Sequence, residues 1–188
     1  AIIGFMAIKI ETTPSDQVEI SPIKETDINQ FNPILEAHVR DRVTGEILVD
    51  EISEIKGYMS GSKDEYGRTR RYFVARNKMG NVLGCMAYSE PDPDMIKHFK
   101  IENLDENIEL LNAFVSPEIF RGGGIGRKLL QAITDEGKRL GKKQLLINSG
   151  PRYQKSWGFY DKFAEQADFI QNKYGEGGHA KTWKIALQ

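Results

Sequence analysis

Apolar and polar positions along the chain change period several times, and those changes divide it into elements. Val18 and Ile20 alternate with Gln17 and Glu19 in a short strand-like stretch that stops near Pro22. Asn32 can cap a helix with Pro33 at its first position, burying Ile34, Leu35, His38 and Val39. After Thr44-Gly45 a second helical stretch carries Ile47, Leu48, Glu51, Ile52 and Ile55 up to a break at Gly57 to Gly61. From Arg70 the period becomes that of strands: residues 72–76 and 82–88 flank the turn residues Asn77 to Asn81 and predict a hairpin. A polar, proline-containing segment follows from Ser89 to Asn107, with a short strand or helix expected at Met95 to Ile101. Ile108 to Val115 reads as another strand, ending at Ser116-Pro117.

Gly126 to Leu140 is the clearest helix, with Leu129, Leu130, Ile133 and Leu140 on one side and Arg127, Lys128, Asp135, Glu136 and Lys138 elsewhere. Gly141 ends it. Gln144 to Ile147 is expected as a short buried strand and Pro151 to Phe163 as an amphipathic helix. Ala167 to Gln188 is expected as a hairpin around Gly175 to Gly178. Strands joined by helices make part of the sheet parallel, and the hairpins make part antiparallel, so the fold class is α/β (α+β). No linker or repeat divides residues 17–188, which read as one domain. Residues 1–16 read as an N-terminal extension or first strand. Their apolar start lacks the basic flank and cleavage pattern of a signal peptide, and the residues before Met6 are open to being added sequence.

Charge narrows the choice of partners. The chain has 188 residues with 26 Lys and Arg against 27 Asp and Glu, a net charge of −1. A protein that neutralises nucleic-acid phosphates or sits on an anionic membrane carries a basic excess, so neither partner is expected. No apolar run approaches the ~18 residues of a spanning helix. The single cysteine, Cys85, allows no intrachain disulfide and suits a reducing compartment, hence an expected cytoplasmic location. His38, His98 and His179 are scattered, and no His or Cys spacing forms a metal site, so no metal is expected.

Candidate chemistry centres on Pro117-Glu118-Ile119-Phe120-Arg121-Gly122-Gly123-Gly124-Ile125-Gly126-Arg127-Lys128, between a strand and the best helix. Such a junction presents the unpaired amides of the first helical turn and the positive end of the helix dipole, and so makes an anion site. A Walker A loop is excluded because no Gly-Lys-Ser/Thr follows, and a dinucleotide fingerprint fails on the spacing of its third glycine. Arg-x-x-Gly-x-Gly does fit, as Arg121-Gly122-Gly123-Gly124-Ile125-Gly126.

In that position the motif strongly resembles the acyl-coenzyme A pyrophosphate loop of the GNAT family of N-acetyltransferases, and the element order over residues 17–188 resembles that family's fold. The resemblance implies a mixed, mostly antiparallel sheet of about six to seven strands, with a central parallel pair splayed for coenzyme A and about four flanking helices. It implies that backbone groups of Phe114 and Val115 pair with the pantetheine arm. The amides of Gly122, Gly123, Gly124, Gly126 and Arg127 would hold the pyrophosphate, with Arg121 and Arg127 adding charge. Residues 121–143, with seven basic residues against two acidic ones, agree with an anion at this end.

Acetyl transfer to an amine requires a base for the amine and a proton for the departing thiolate. On a helix, Tyr153, Trp157, Tyr160 and Ala164 would form one stripe. A phenol near the sulfur can donate to it, and Phe159-Tyr160 resembles the family's Phe-Tyr or Leu-Tyr pair, so Tyr160 is expected as the acid. The match has departures: Tyr153 and Ser156 stand where many members have Asn and Ala, and Ala164-Glu165 replaces Gly-Phe. Ser156 is then the candidate for the hydrogen bond to coenzyme that the absent Asn would make.

Glu109 lies six residues before Val115, an offset like that of the catalytic Glu in the histone-acetyltransferase branch. Between Ile108 and Leu110 its carboxylate can have a raised pKa suited to a base, acting directly or through water. Alternation would place Glu109, Leu111, Ala113 and Val115 on one face. Asn112 and Glu118 are weaker candidates. Residues 90–109, with seven acidic residues against two basic ones, are expected to line the acceptor side and draw a cationic amine, with Glu102, Asp105 and Glu106 contributing. The expected protein is thus an acyl-CoA-dependent N-acetyltransferase using acetyl-CoA and a primary amine in a ternary complex; a homodimer is compatible with it. The alternatives are a non-catalytic coenzyme A-binding module of the same fold and an enzyme using another acyl donor.

Overall fold

A computed structural model describes residues 17–118 and 123–187. The extension 1–16, and Arg121 and Gly122 of the glycine loop, lie outside the described residues. Seven strands form one sheet: β1 (Glu19–Pro22), β2 (Arg71–Arg76), β3 (Val82–Ser89), β4 (Asn107–Val115), β5 (Gln144–Ser149), β6 (Gln166–Ile170) and β7 (Ala180–Ala186). Their order is β1-β2-β3-β4-β5-β7-β6. All neighbours are antiparallel except β4 and β5, which are joined by helix α4 (Ile125–Arg139) and run parallel, as a helical crossover requires.

Alternation along the strands feeds two apolar layers. One face carries Phe73, Leu83, Met86, Tyr88, Ile108 and Leu110 beneath Leu129, Leu130 and Ile133 of α4. The other carries Tyr72, Val74, Cys85 and Ala87 beneath α1 (Asn32–His38) and α2 (Val49–Met59). Each buried side chain of this size contributes about 1.5–3 kcal/mol, so α4 is held mainly by its apolar stripe. At Gly137 a Cβ would come within 2.6 Å of Leu187 Cδ1, so the glycine lets the helix approach the sheet.

Four expectations need correction. Asn32 is the first helical residue rather than its cap, which is Phe31 at the end of a 3-10 turn. Helix α2 continues through Gly57 because Tyr58 and Met59 are buried in its core. Leu140, expected on the buried side of its helix, is 39% exposed beyond the last turn of α4. The helix expected over Pro151 to Phe163 is a 3-10 turn, Pro151–Ser156, followed by the single turn α5 (Trp157–Tyr160). Tyr153 has φ −107° and ψ 23°, outside helical geometry, so the predicted stripe is broken: Tyr153 packs on Phe114 while Tyr160 packs on Trp183. The segment at 95–101 resolves as helix, α3 (Pro93–His98), with Asp92 Oδ1 accepting from Met95 N at 2.8 Å as its cap.

Candidate active site

Strand β4 pairs with β5 only from Asn107 to Leu110; beyond that the two strands diverge. Opposite, β4 stays paired with β3, but with an irregularity: Leu111 faces Ala87 and Phe114 faces Cys85, so Asn112 and Ala113 together oppose Met86. This is a β-bulge. Asn112 has φ 45°, a left-handed conformation that Asn tolerates better than most residues, and its Oδ1 accepts from Arg70 Nη1 and Tyr72 Oη, both at 2.7 Å. The extra residue shifts the alternation. Glu109 therefore shares its side of the strand with Leu111 and Phe114, and not with Ala113 and Val115 as alternation predicts. Gly84, opposite Val115, has no room for a side chain: a Cβ there would lie 2.6 Å from the carbonyl oxygen of Phe114.

The divergence opens a cleft of about 1860 Å³, lined by Glu109, Phe114, Val115, Gly124, Gly126, Arg127, Ser156 and Tyr160. At one end, Gly124 caps α4 in a left-handed conformation (φ 65°). The first α4 amide bonded back to Gly124 O is that of Lys128, which leaves the amides of Ile125, Gly126 and Arg127 without intrahelical partners. Arg127 of α4 lines this end, and Lys155 and Lys162 line the same cleft. Three of the other basic residues expected here are engaged elsewhere: Arg139 pairs with Glu136, Lys143 with Glu106, and Lys142 donates to Asp105 O. Ser156 Oγ donates to Tyr153 O at 2.7 Å, leaving its oxygen as an acceptor only. On the strand side, Val115 O accepts from His38 Nε2 at 2.6 Å.

Glu109 sits at the vertex, opposite Ser89 on β3 and Leu146 on β5, and is fully buried. Its Oε2 accepts from Arg68 Nη1 at 3.0 Å and from the Asp92 amide at 2.7 Å; its Oε1 accepts from Asn148 Nδ2 at 2.7 Å. Burial, reinforced by the charge of Asp92, raises its pKa to about 7 against the opposing pull of that amide and Arg68. The network extends outward. Arg68 also holds Asp64, and Lys173, from the β6–β7 turn, bridges Asp92 at 2.8 Å and Asp94 at 2.9 Å. Burial opposes the Lys173 charge, but the hydrogen bonds it donates to the two carboxylates hold the ammonium well above its ordinary range. Tyr174 Oη donates to Asn148 Oδ1.

Tyr160 is 5% exposed, with its ring 5.1 Å from Trp183 and 5.2 Å from Phe159. Burial pushes its phenol pKa up, so the group stays protonated, and among the described residues its hydroxyl has no hydrogen-bond partner. Asp92, Asp94 and Glu109 of the acidic segment line the cleft. Glu102, Asp105 and Glu106 do not: they precede β4, at the end of the strand opposite the cleft mouth, where Glu106 is tied to Lys143. The expectation that they face an acceptor is withdrawn. Carboxylates of α2, Asp50, Glu51 and Glu54, line the cleft instead. The residues that sequence reasoning passed over are Asp64, Arg68, Arg70, Asn148, Lys173 and Tyr174. Only the Arg68-Thr69-Arg70-Arg71 cluster offered a local signal.

Among the described residues no helix is long and apolar enough to cross a membrane. Residues 37–164 match the model of the acetyltransferase (GNAT) family. The chain is 30% identical over 131 residues to the IAA acetyltransferase of Azospirillum brasilense, covering 69% of this chain and 74% of that protein. Its fold is similar to that of a GNAT-family protein from Desulfovibrio desulfuricans, with a TM-score of 0.69, 16% identity, and 91% and 99% of the two chains covered. It is also similar to YncA of Salmonella typhimurium, a structure holding its cofactor acetyl-CoA, with a TM-score of 0.60, 15% identity, and 92% and 95% covered. At these identities the structural likeness is one of fold.

Proposed function

This chain belongs to the GNAT acetyltransferase family, and we propose that it moves an acetyl group from acetyl-CoA to a primary amine by direct attack within a ternary complex. The observation that carries the reading is the cleft between β4 and β5, which has free helix amides at one end and a buried carboxylate of pKa about 7 at its vertex. The pyrophosphate rests on the amides of Gly123 to Arg127, with Arg121 and Gly122 completing the loop and Arg127, Lys155 and Lys162 supplying charge. The pantetheine arm follows the unpaired edge of β4 at Phe114 and Val115. The second lone pair of Val115 O, beside the His38 bond, and the oxygen of Ser156 are its acceptors.

Glu109 takes the amine proton. Because it is fully buried and already accepts three hydrogen bonds, it acts through an intervening water. The neutral amine then attacks the thioester carbonyl, a C–N bond forms, and collapse breaks the C–S bond. Tyr160, kept protonated by burial, gives its proton to the thiolate, and the resulting phenolate takes back, through water, the second proton that the acylated nitrogen sheds, leaving amide and free coenzyme thiol. Residues 17–188 form the acyltransferase domain, with 1–16 as an extension to it.

Two assays test the reading. Acetyl-CoA should raise the melting temperature, and thiol release with a panel of amines should show turnover that Tyr160→Phe cuts roughly tenfold or more. Full turnover in Tyr160→Phe would remove it as the acid. Turnover with a longer acyl-CoA and none with acetyl-CoA would replace the donor.

A further inference from the structure

The acceptor end of the cleft contains a cation that the proposed reaction does not use. Arg70 lines the cleft, its side chain 85% covered, with its guanidinium carbon 4.0 Å from the centroid of the Tyr58 ring. Stacking fixes the plane of the group and leaves its edges to do the hydrogen bonding. Nη1 donates to Asn112 Oδ1 at 2.7 Å. The opposite edge, formed by Nε and Nη2, is the side-on fork that matches a carboxylate. Here Nε is buried with no hydrogen-bond partner, and Nη2 donates one long hydrogen bond, at 3.4 Å, to Asp64 Oδ2.

Asp64 closes that fork only weakly, at 3.4 Å from Nη2, because four shorter donors already share its oxygens. Its Oδ1 accepts from the amides of Tyr66 and Arg68, each at 3.0 Å, and its Oδ2 from Arg68 Nε and Nη2, each at 2.9 Å. Four donors exhaust a carboxylate. Glu109 is spent on Arg68, Asp92 and Asn148, and Glu54 accepts from Tyr58 Oη at 2.5 Å. A buried donor left unmade is destabilising and uncommon in folded chains. A planar anion entering the cleft would complete it.

We infer that the acceptor amine also bears a carboxylate, which the Nε–Nη2 fork of Arg70 receives, so that the substrate class is an amino acid or similar zwitterion rather than a polyamine. The inference rests on the acetyl-transfer reading above and specifies its acceptor. The same cleft supplies acids for the amine of such a molecule: Asp50, Glu54 and Glu65 line it, and Asp64 and Arg68 link Arg70 to Glu109.

Matched triples decide it: leucine, leucinamide and isoamylamine; tyrosine, tyrosinamide and tyramine. In turnover with acetyl-CoA, the acid of at least one triple should exceed both neutral-tailed partners at least tenfold in kcat/KM. Arg70→Gln should abolish that preference by raising the KM of the acid roughly tenfold or more, as expected for losing a charge-assisted fork. The KM for acetyl-CoA should stay within twofold. Arg70→Lys, which keeps the charge without the fork, guards against a folding defect and should recover only part of the preference. Tyr72 Oη still donates to Asn112 in both variants, so the bulge keeps a partner.

Saturation-transfer NMR of the same compounds with the coenzyme-free protein reads binding alone. Amides or decarboxylated amines equal to the acids in every triple, or a preference surviving Arg70→Gln, would overturn the inference. If acetyl-CoA binds but nothing turns over, the NMR arm still decides: acid signals present with the wild type and lost with Arg70→Gln support it, and none with the wild type sinks it. Failure of acetyl-CoA itself to bind overturns the acetyl-transfer reading instead.

Discussion

At the α4 end of the cleft the groups facing a ligand are mainly backbone: three helix amides released by a left-handed Gly124, and the free edge of β4. Around Glu109, at the other end, they are side chains from five separate segments. Asp64, Arg68 and Arg70 come from the connection before β2, Asp92 from the turn after β3, Glu109 from β4, Asn148 from β5, and Lys173 and Tyr174 from the β6–β7 turn. Backbone amides are supplied by the chain regardless of side chain, so the first end tolerates substitution unless the backbone path changes. The second end has Asp64, Arg68, Asp92 and Glu109 buried against one another, and losing one strands the rest.

The sharpest test of this contrast is Glu109→Gln, for which kcat should fall about 10²–10⁴-fold. Glu109 acts when ionised, so the wild-type kcat/KM should rise with pH through about 7 and then level, and the variant should lack that limb. Stability has the opposite sign. The folded chain holds the Glu109 proton to higher pH than the unfolded chain does, so its contribution is fully present below the ordinary carboxylate range and lost as pH rises through about 7. Denaturant melts of wild type and Glu109→Gln across that window should converge at low pH and separate at high pH. Parallel curves would show that the carboxylate is not poised as described.

Next in size, Lys173→Met should destabilise the chain by about 3 kcal/mol, because Asp92 is left buried without its partner. Thermal unfolding should register it as a drop of about 6–12 °C. An unchanged melting temperature would mean the acceptor end is less interdependent than its geometry implies. At the backbone end, Gly124→Ala forces a side chain into φ 65° at about 1–2 kcal/mol, and should raise the KM for coenzyme about tenfold without touching the pH profile. Smallest is Arg127→Ala, an exposed charge on the cleft rim. It should raise the coenzyme KM less than tenfold, with an effect that shrinks as salt is added. If Arg127→Ala outweighed Gly124→Ala, charge rather than backbone would dominate that end.

Legibility followed the same division. The start of α4 after the glycines, the α4 stripe, the β2–β3 hairpin and the parallel β4–β5 pair were all readable, since each depends on neighbours within a few residues in the chain, on a single period or on a helical crossover. Glu109 was readable as a carboxylate between apolar residues, and its burial agrees. The side of the strand it occupies was not, because nothing adjacent in sequence announces that Asn112 bulges; the donors that hold it there, Arg70 and Tyr72, are forty or more residues away. The acidic segment misled for a related reason. Its charge is a property of sequence, but β4 carries Glu109 into the cleft and leaves Glu106 at the far end of the strand.

The sequence by itself determined the kinds of element, the apolar stripe of α4 and a glycine-led helix start, because backbone hydrogen bonding and apolar periodicity are local. Only the tertiary structure decided which charges meet. It brought Lys155 and Lys162 into the same cleft as Arg127, surrounded Asp64 with donors, and left the Nε of Arg70 without a partner. Ion pairs form between whatever side chains the packing of distant segments brings together, and no period in the chain records that.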